Sequence, residues 1–243
     1  MSEKITPYKD SALGKKQQIA KMFDAISNEY DGLNRVISFG IDIKWRNKVV
    51  QLVANAKPKN ILDIATGTGD LAINLTRTNA SQIIGLDISE GMLDVGRKKI
   101  LKKELHQTID MVVGDSENLP FDDSSFDAIT VAFGVRNFEN LELGLAEILR
   151  VLKPGGVFVV LETSVPTKFP FKQGYYFHTR VFLPLIGKLF SKDKSAYSYL
   201  SESASKFPYG TAFNNILNKT GFTNTKALPQ TFGVATIYTA TKH

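Results

Sequence analysis

The stretch Ile61-Leu62-Asp63-Ile64-Ala65-Thr66-Gly67-Thr68-Gly69-Asp70-Leu71 decides how this chain is read. A short apolar run bounded by a turn predicts a buried strand, Asn60–Ala65, and a helical segment begins immediately beyond the glycines. Gly67 and Gly69 permit positive φ and let the backbone lie against a ligand with no Cβ between. In an open parallel sheet, ligands bind at the carboxyl ends of the strands, which is where this loop falls.

The same texture recurs downstream. Gln82–Asp87, Met111–Gly114, Ala128–Phe133 and Val157–Glu162 read as further buried strands, and Thr223–Leu228 and Val234–Thr239 as a closing, hairpin-like pair. Helical segments lie near Leu71–Thr76, Met92–Leu105, Leu141–Val151 and Phe213–Lys219. Lys153-Pro154-Gly155-Gly156 reads as a sharp turn ending one helix and launching the next strand. This alternation predicts an α/β fold: a doubly wound, mostly parallel seven-stranded sheet with helices on both faces. Upstream, Ile19, Met22, Phe23 and Ile26, then Trp45, Val49, Leu52 and Val53, recur at helical spacing. They predict N-terminal helices over 17–56, broken near Asp31-Gly32 and Phe39-Gly40. Residues 1–16 read as a loose, flexible tail, and 17–243 as a single domain carrying a helical, aromatic insertion at 163–210 before the last two strands.

Successive strand ends carry groups suited to a nucleoside. Asp87, 18 residues beyond Gly69, is placed to take both ribose hydroxyls, and Asp115 to accept from an adenine amino group. Asp70 stands on the first helical turn, where its charge would repel a pyrophosphate but suits the ammonium of a methionine moiety. That favours S-adenosylmethionine (SAM) over a dinucleotide.

Composition narrows the class. With 43% hydrophobic and 22% charged residues and no low-complexity tract, the 243-residue chain is globular. The absence of cysteine excludes disulfides, cysteine zinc sites and a cysteine nucleophile, and three scattered histidines argue against a metal site. The net charge of +6 comes without any recognisable nucleic-acid-binding motif, so no nucleic-acid partner is expected. The polar N-terminus and the lack of a long apolar run predict a cytoplasmic protein, with any membrane contact peripheral.

Further segments sharpen the picture: Tyr30-Asp31-x-x-Asn34, Ser38-Phe39-Gly40-Ile41, Trp45-Arg46, Phe133-Gly134-Val135-Arg136-Asn137, Arg150-Val151-Leu152-Lys153-Pro154-Gly155-Gly156, Leu183-Pro184-x-Ile186-Gly187 and Tyr197-x-Tyr199-Leu200-x-Glu202-Ser203. With Asp63-x-x-x-Gly67-x-Gly69 and Asp87, the chain resembles the class I SAM-dependent methyltransferases (Rossmann-like). Within these it resembles the MenG/UbiE/COQ5 family of menaquinone and ubiquinone biosynthesis C-methyltransferases, from about residue 16 to the C-terminus.

The resemblance implies SAM contacts at Thr68, Asp87, Asp115 and Ser116, in addition to the loop residues Asp63, Gly67 and Gly69. Where the family often has serine this chain has Ala132, so one hydroxyl contact is lost or replaced. The implied reaction methylates a ring carbon of a demethylated quinol, leaving S-adenosylhomocysteine, with demethylmenaquinol favoured over a ubiquinone precursor. Arg136 and Asn137 are the candidates for holding or activating the quinol oxygen, through phenolate stabilisation or a water relaying the proton to a carboxylate such as Asp87. His178, Tyr197 and Tyr30 are expected to bind the acceptor, with Tyr199 also lining its pocket, and Tyr30 and Asp31 to belong to a helical lid over SAM. Such a quinol lives in the bilayer, and Phe169–Phe190 combines aromatics with Lys168, Lys172, Arg180 and Lys188. Peripheral contact with the inner face of a bacterial membrane is therefore expected. The oligomeric state stays open, a homodimer among the options.

Overall fold

The computed structural model describes residues 5–177, 179 and 194–243, apart from the side chains of Lys194 and Tyr197. Three helices lead the chain, α1 (Lys15–Ile26), α2 (Tyr30–Ile37) and α3 (Ile41–Ala54). The alternating region then runs β1 (Asn60–Ile64), α4 (Asp70–Leu75), β2 (Gln82–Asp87), α5 (Glu90–Lys102), β3 (Ile109–Val113), β4 (Phe126–Ala132), α6 (Leu141–Val151) and β5 (Leu152–Thr163). The described part of the insertion holds α7 (Phe171–Phe177) and α8 (Lys194–Lys206), and the chain closes with α9 (Thr211–Thr220), β6 (Thr223–Gln230) and β7 (Ala235–Thr241).

The seven strands form one sheet in the order β3-β2-β1-β4-β5-β7-β6. Strands β1 to β5 are parallel, whereas β7 runs antiparallel to both β5 and β6. The chain winds outward from β1 through β2 to β3, then returns to the other side of β1 as β4. That reversal opens a crevice between β1 and β4, the place where open α/β sheets bind ligands. The backbone is forced close there. A Cβ on Gly134 would lie 2.4 Å from the Cβ of Ala65. Ala65 and Phe133, immediately after β1 and β4, both take positive φ (52° and 59°), a conformation non-glycine residues adopt at a cost of about 1–3 kcal/mol.

Side chains alternate across the strands, so each strand serves two cores. Leu62, Ile64, Ile129 and Val131 face α6 and α9 through Leu145, Ile148, Phe213 and Leu217. Ile61, Ile83, Ala128 and Val159 face α3, α4 and α5 through Val49, Val53, Leu71 and Leu93. A smaller cluster joins Ile19, Met22 and Ile26 of α1 to Met92 of α5 and to Ala196 and Tyr199 of α8. This third cluster brings the N-terminal helix and the insertion together over the carboxyl end of the sheet.

Three local expectations need correction. The first helix break falls at Ser27–Glu29, and Asp31-Gly32 lie inside α2. A helical glycine costs roughly 1 kcal/mol, but tertiary bonds to Asp31 outweigh it: its carboxylate accepts from Thr68 Oγ1 at 2.6 Å and from Lys99 Nζ at 2.8 Å. Second, no loop separates α6 from β5, because Lys153–Gly156 is already part of the strand. The Gly155 N–H donates to the Lys242 carbonyl, and the Lys242 N–H to Gly156. Third, residues 5–14 are not wholly loose. Ile5 and Tyr8 pack on the third cluster, and the Tyr8 N–H donates to Gln18 Oε1 at 2.9 Å.

Candidate active site

One cavity lies along the ends of β1, β2 and β4, walled by Gly67, Asp87, Ile88, Ser116, Phe133 and Asn137. Asp87 ends β2 and is 8% exposed. Its Oδ2 accepts from the Gly67 N–H at 2.8 Å and its Oδ1 from the Ser89 N–H at 2.9 Å. Burial raises its pKa against the lowering effect of these N–H donors. Each oxygen retains a lone pair, so the carboxylate is fixed in orientation and can still accept from two neighbouring hydroxyls. A carboxylate beside a Gly67 turn, in a crevice whose walls glycines keep close, fits the nucleoside and amino-acid halves of SAM.

Gly67, Asp87, Ser116, Tyr30 and Asn137 all stand on this wall. Asp63, Thr68, Gly69 and Asp115 take supporting places instead. Thr68 Oγ1 donates to Asp31 and accepts from Lys99 Nζ at 3.1 Å, tying α2 and α5 to the glycine loop. Asp70 is occupied too: Lys99 Nζ lies 2.5 Å from Oδ1 and Arg35 Nη2 2.6 Å from Oδ2. Its charge therefore binds the helical layer, one cation to each oxygen, and Asp70 is not among the residues of the cavity wall. Gly69 (φ 77°) caps α4, with Met111 packed against it.

Asp63 is the loop's internal anchor. It is 1% exposed and accepts from Thr130 Oγ1 and Thr66 Oγ1, both at 2.6 Å. Burial pushes its pKa up to about 6 even though the two hydroxyls oppose this. Because the folded-state value exceeds the unfolded one, protonation favours the fold: the contribution is full below about pH 4 and lost as pH rises through 6. Asp63→Asn is therefore expected to flatten the stability change between pH 4 and 6, worth on the order of 2 kcal/mol, in urea melts across that range.

Charged residues missed in the sequence close the site. Lys16 of α1 lines the cavity and reaches Asp115 Oδ2 at 2.6 Å and Glu117 Oε2 at 3.0 Å. Glu117 in turn accepts from the Glu139 and Asn140 N–H groups at 2.6 and 3.0 Å. Lys16 thus latches the N-terminal helix across the cavity. Lys16→Ala is expected to raise the donor's off-rate about fivefold, the scale of a partly exposed ion pair, as read by stopped-flow displacement.

A second, larger cavity adjoins the first, about 180 Å³ against 70 Å³. Tyr30 and Phe133 line both. Its walls are mainly apolar, with Trp45, Tyr175, Leu200 and Val234, and Arg136 stands among them. Arg136 and Asn137 follow β4 in one short 3-10 turn, so consecutive side chains face different cavities. Tyr199 donates to Asn137 Oδ1 at 3.1 Å. Arg136 Nη1 lies 2.5 Å from Glu162 Oε1, with side chains 8% and 0% exposed. Burial alone would lower the Arg136 pKa, but the Glu162 charge reverses this and holds it above the usual arginine value. Burial pushes the Tyr199 hydroxyl up to about 12 and raises Tyr175 as well, so both stay protonated near neutrality. The carboxylate that Arg136 meets is Glu162. Glu162 is the next-to-last residue of β5, and the rule that singled out Asp87 and Asp115, an acidic residue near a strand end, also applies to it. His178 and the Tyr197 side chain lie outside the described residues.

Solved structures share this architecture. A SAM-dependent methyltransferase from Thermotoga maritima superposes with a TM-score of 0.61 at 20% identity, covering 93% of this chain and all of that one. The [4+2]-cyclase SpnF gives 0.61 at 18%, covering 93% and 96%. At such identities the likeness concerns the fold, and the cyclase shows that one fold carries different chemistries. Sequence relatives are nearer. The demethylmenaquinone methyltransferase of Bacteroides fragilis is 47% identical over 99% of this chain and 98% of that protein. The ubiquinone/menaquinone biosynthesis C-methyltransferase UbiE of Geobacter sulfurreducens is 43% identical over 98% and 93%. The profile of the ubiE/COQ5 methyltransferases matches residues 12–242, spanning the glycine loop, both cavities and the insertion that walls the second. By that match, the chain belongs to the ubiE/COQ5 methyltransferase family.

Proposed function

We propose that this enzyme transfers a methyl group from SAM to a ring carbon of demethylmenaquinol, giving menaquinol and S-adenosylhomocysteine. The observation that carries the reading is the pair of cavities meeting at Tyr30 and Phe133: one has a fixed carboxylate suited to a ribose, the other is mainly apolar with two buried arginines, Arg46 held by Asp42 and Arg136 held by Glu162. The donor supplies an electrophilic methyl group. The protein aligns the ring carbon with that methyl, excludes water and favours the ionised ring oxygen. Arg136 suits the last task because its charge is fixed at the acceptor cavity's wall. Tyr30 and Phe133, at the junction, are placed to set the approach of the ring. Asp87, Gly67 and Ser116 hold the donor, whereas Asp63, Thr68 and Asp115 shape the loops that present it.

The deciding assay measures methyl transfer from labelled SAM to reduced demethylmenaquinone, with ubiquinone-type benzoquinols and soluble phenols in parallel. Turnover on soluble phenols alone would refute the quinol assignment. The names of relatives such as the Geobacter protein keep the benzoquinol arm in the comparison.

An isoprenoid quinol must be collected from the bilayer. Among the described residues no helix is long and apolar enough to cross a membrane. Exposed aromatics instead flank the acceptor cavity. Phe39 follows Ser38, Phe177 lies two residues after Tyr175, and Phe232 two before Val234, where Ser38, Tyr175 and Val234 all line it. Phe169 is 79% exposed, and the Phe232 ring stacks on Phe171 at 3.8 Å. With Lys168 and Lys172 alongside, this rim suits peripheral contact with an anionic leaflet. Replacing Phe169, Phe177 and Phe232 together by serine is expected to abolish flotation with anionic vesicles. Turnover of quinol embedded in them should fall about tenfold, the scale of losing roughly three partly inserted rings, while a short-chain quinol in solution is methylated as before.

A further inference from the structure

Glu162 is a group the proposed reaction has not yet used. It is the next-to-last residue of β5, is fully buried, and spends only one oxygen: Oε1 accepts from Arg136 Nη1, from the Thr163 N–H at 2.7 Å and from Thr163 Oγ1 at 3.1 Å. Its Oε2 has no hydrogen-bond partner among the described residues, and neither does Nε of Arg136. Two orphaned polar atoms on one buried ion pair are unusual, since buried donors and acceptors are nearly always satisfied. The two orphans also differ in kind. One is an N–H that must donate, the other an anionic oxygen that must accept. A single hydroxyl satisfies both, taking the Nε–H on its lone pair and giving its proton to Oε2. Arg136 and Thr163, the residues bonded to Glu162, both line the acceptor cavity.

Building on the quinol reading above, we propose that Arg136 and Glu162 together receive the acceptor's ring hydroxyl and that Glu162 removes its proton. The hydroxyl proton passes to Oε2, leaving a phenolate beside the guanidinium. The ring carbon then donates an electron pair to the methyl group, the S–CH3 bond breaks, and its electrons stay on sulfur as the neutral thioether. The methylated ring regains aromaticity by losing its carbon-bound proton to water, and Glu162 returns the held proton to the ring oxygen. One proton is released per turnover. The nearby tyrosines cannot substitute, because Tyr175 and Tyr199 stay protonated near neutral pH.

The test separates proton removal from merely holding Arg136. Wild type, Glu162→Gln and Glu162→Asp are assayed with demethylmenaquinol and with a halogenated analogue whose hydroxyl is already ionised at the assay pH, SAM affinity being followed by calorimetry. With the ordinary quinol, Glu162→Gln is expected to lose about a hundredfold in kcat with SAM affinity unchanged, the scale of general-base help. With the ionised analogue most of that loss should disappear. Equal losses on both acceptors would assign Glu162 to positioning alone, and wild-type rates in the variant would overturn any role; either result ends the proposal. Should Glu162→Gln fail to fold, Glu162→Asp, which keeps the charge but withdraws it by one methylene, gives the same comparison. Wild-type enzyme inert toward quinols but active on a soluble phenol would overturn the quinol reading alone, and the acidity comparison would then be run on that phenol.

Discussion

Asp87→Ala is expected to weaken SAM binding by about a hundredfold to a thousandfold, the largest effect of any single change in the donor cavity. Two contributions add. The variant removes a charge-assisted acceptor for a pair of hydroxyls, and it strips the Gly67 N–H of its partner, loosening the glycine loop itself. Calorimetry with SAM and S-adenosylhomocysteine measures the sum. Asp87→Asn separates the parts, because its amide oxygen can still accept from one N–H while the charge is gone. The asparagine variant should recover part of the affinity, and a loss below tenfold in the alanine variant would remove Asp87 from the ribose site. Asp115→Ala offers the contrast: its carboxylate already holds Lys16, so a smaller loss is expected, expressed mainly in the off-rate.

That contrast shows where the sequence is legible and where it is not. Strands and the switch point follow from local signals: apolar runs ended by glycine, and a strand–helix rhythm that admits few topologies. That Gly67, Asp87 and Ser116 share one cavity wall is legible because strand ends converge on one crevice wherever the helices pack. The division between wall and support was not readable. Asp63, Asp70 and Asp87 all sit within or beside the crevice loops. Which of them stands on the cavity wall depends on partners elsewhere in the chain: Thr130 holds Asp63 inside the sheet, Lys99 and Arg35 hold Asp70 to the helical layer, and backbone N–H groups hold Asp87 on the wall. Asp31-Gly32 lies inside α2 for the same reason, since local propensity argues for a break and long-range bonds to Asp31 decide the other way. Lys16 carried no periodic signal at all, and its place over Asp115 arises only when α1 folds across the sheet.

Arg136→Met is expected to abolish turnover and to destabilise the fold by about 3–5 kcal/mol, because Glu162 would be left buried and unpaired. A drop in activity alone would thus be ambiguous between lost chemistry and lost structure. The double variant Arg136→Met/Glu162→Met resolves this. Replacing both charges by apolar side chains of similar volume removes the desolvation cost together with the attraction, and buried ion pairs treated this way often lose little stability or gain some. Urea denaturation should therefore show most of the single-variant loss restored in the double variant, while methyl transfer stays absent and SAM binding, which uses the other cavity, survives in both. If the double variant regained turnover along with stability, Arg136 would be a structural residue and Arg46, the other buried arginine on that wall, would be left to favour the phenolate. If stability stayed low, the cause would lie in the 3-10 turn carrying Val135, Arg136 and Asn137 rather than in the buried charge. Conservation of charge in Arg136→Lys discriminates further: the ammonium keeps the pairing with Glu162 but has no Nε–H to offer a hydroxyl, so stability should be largely retained and kcat reduced.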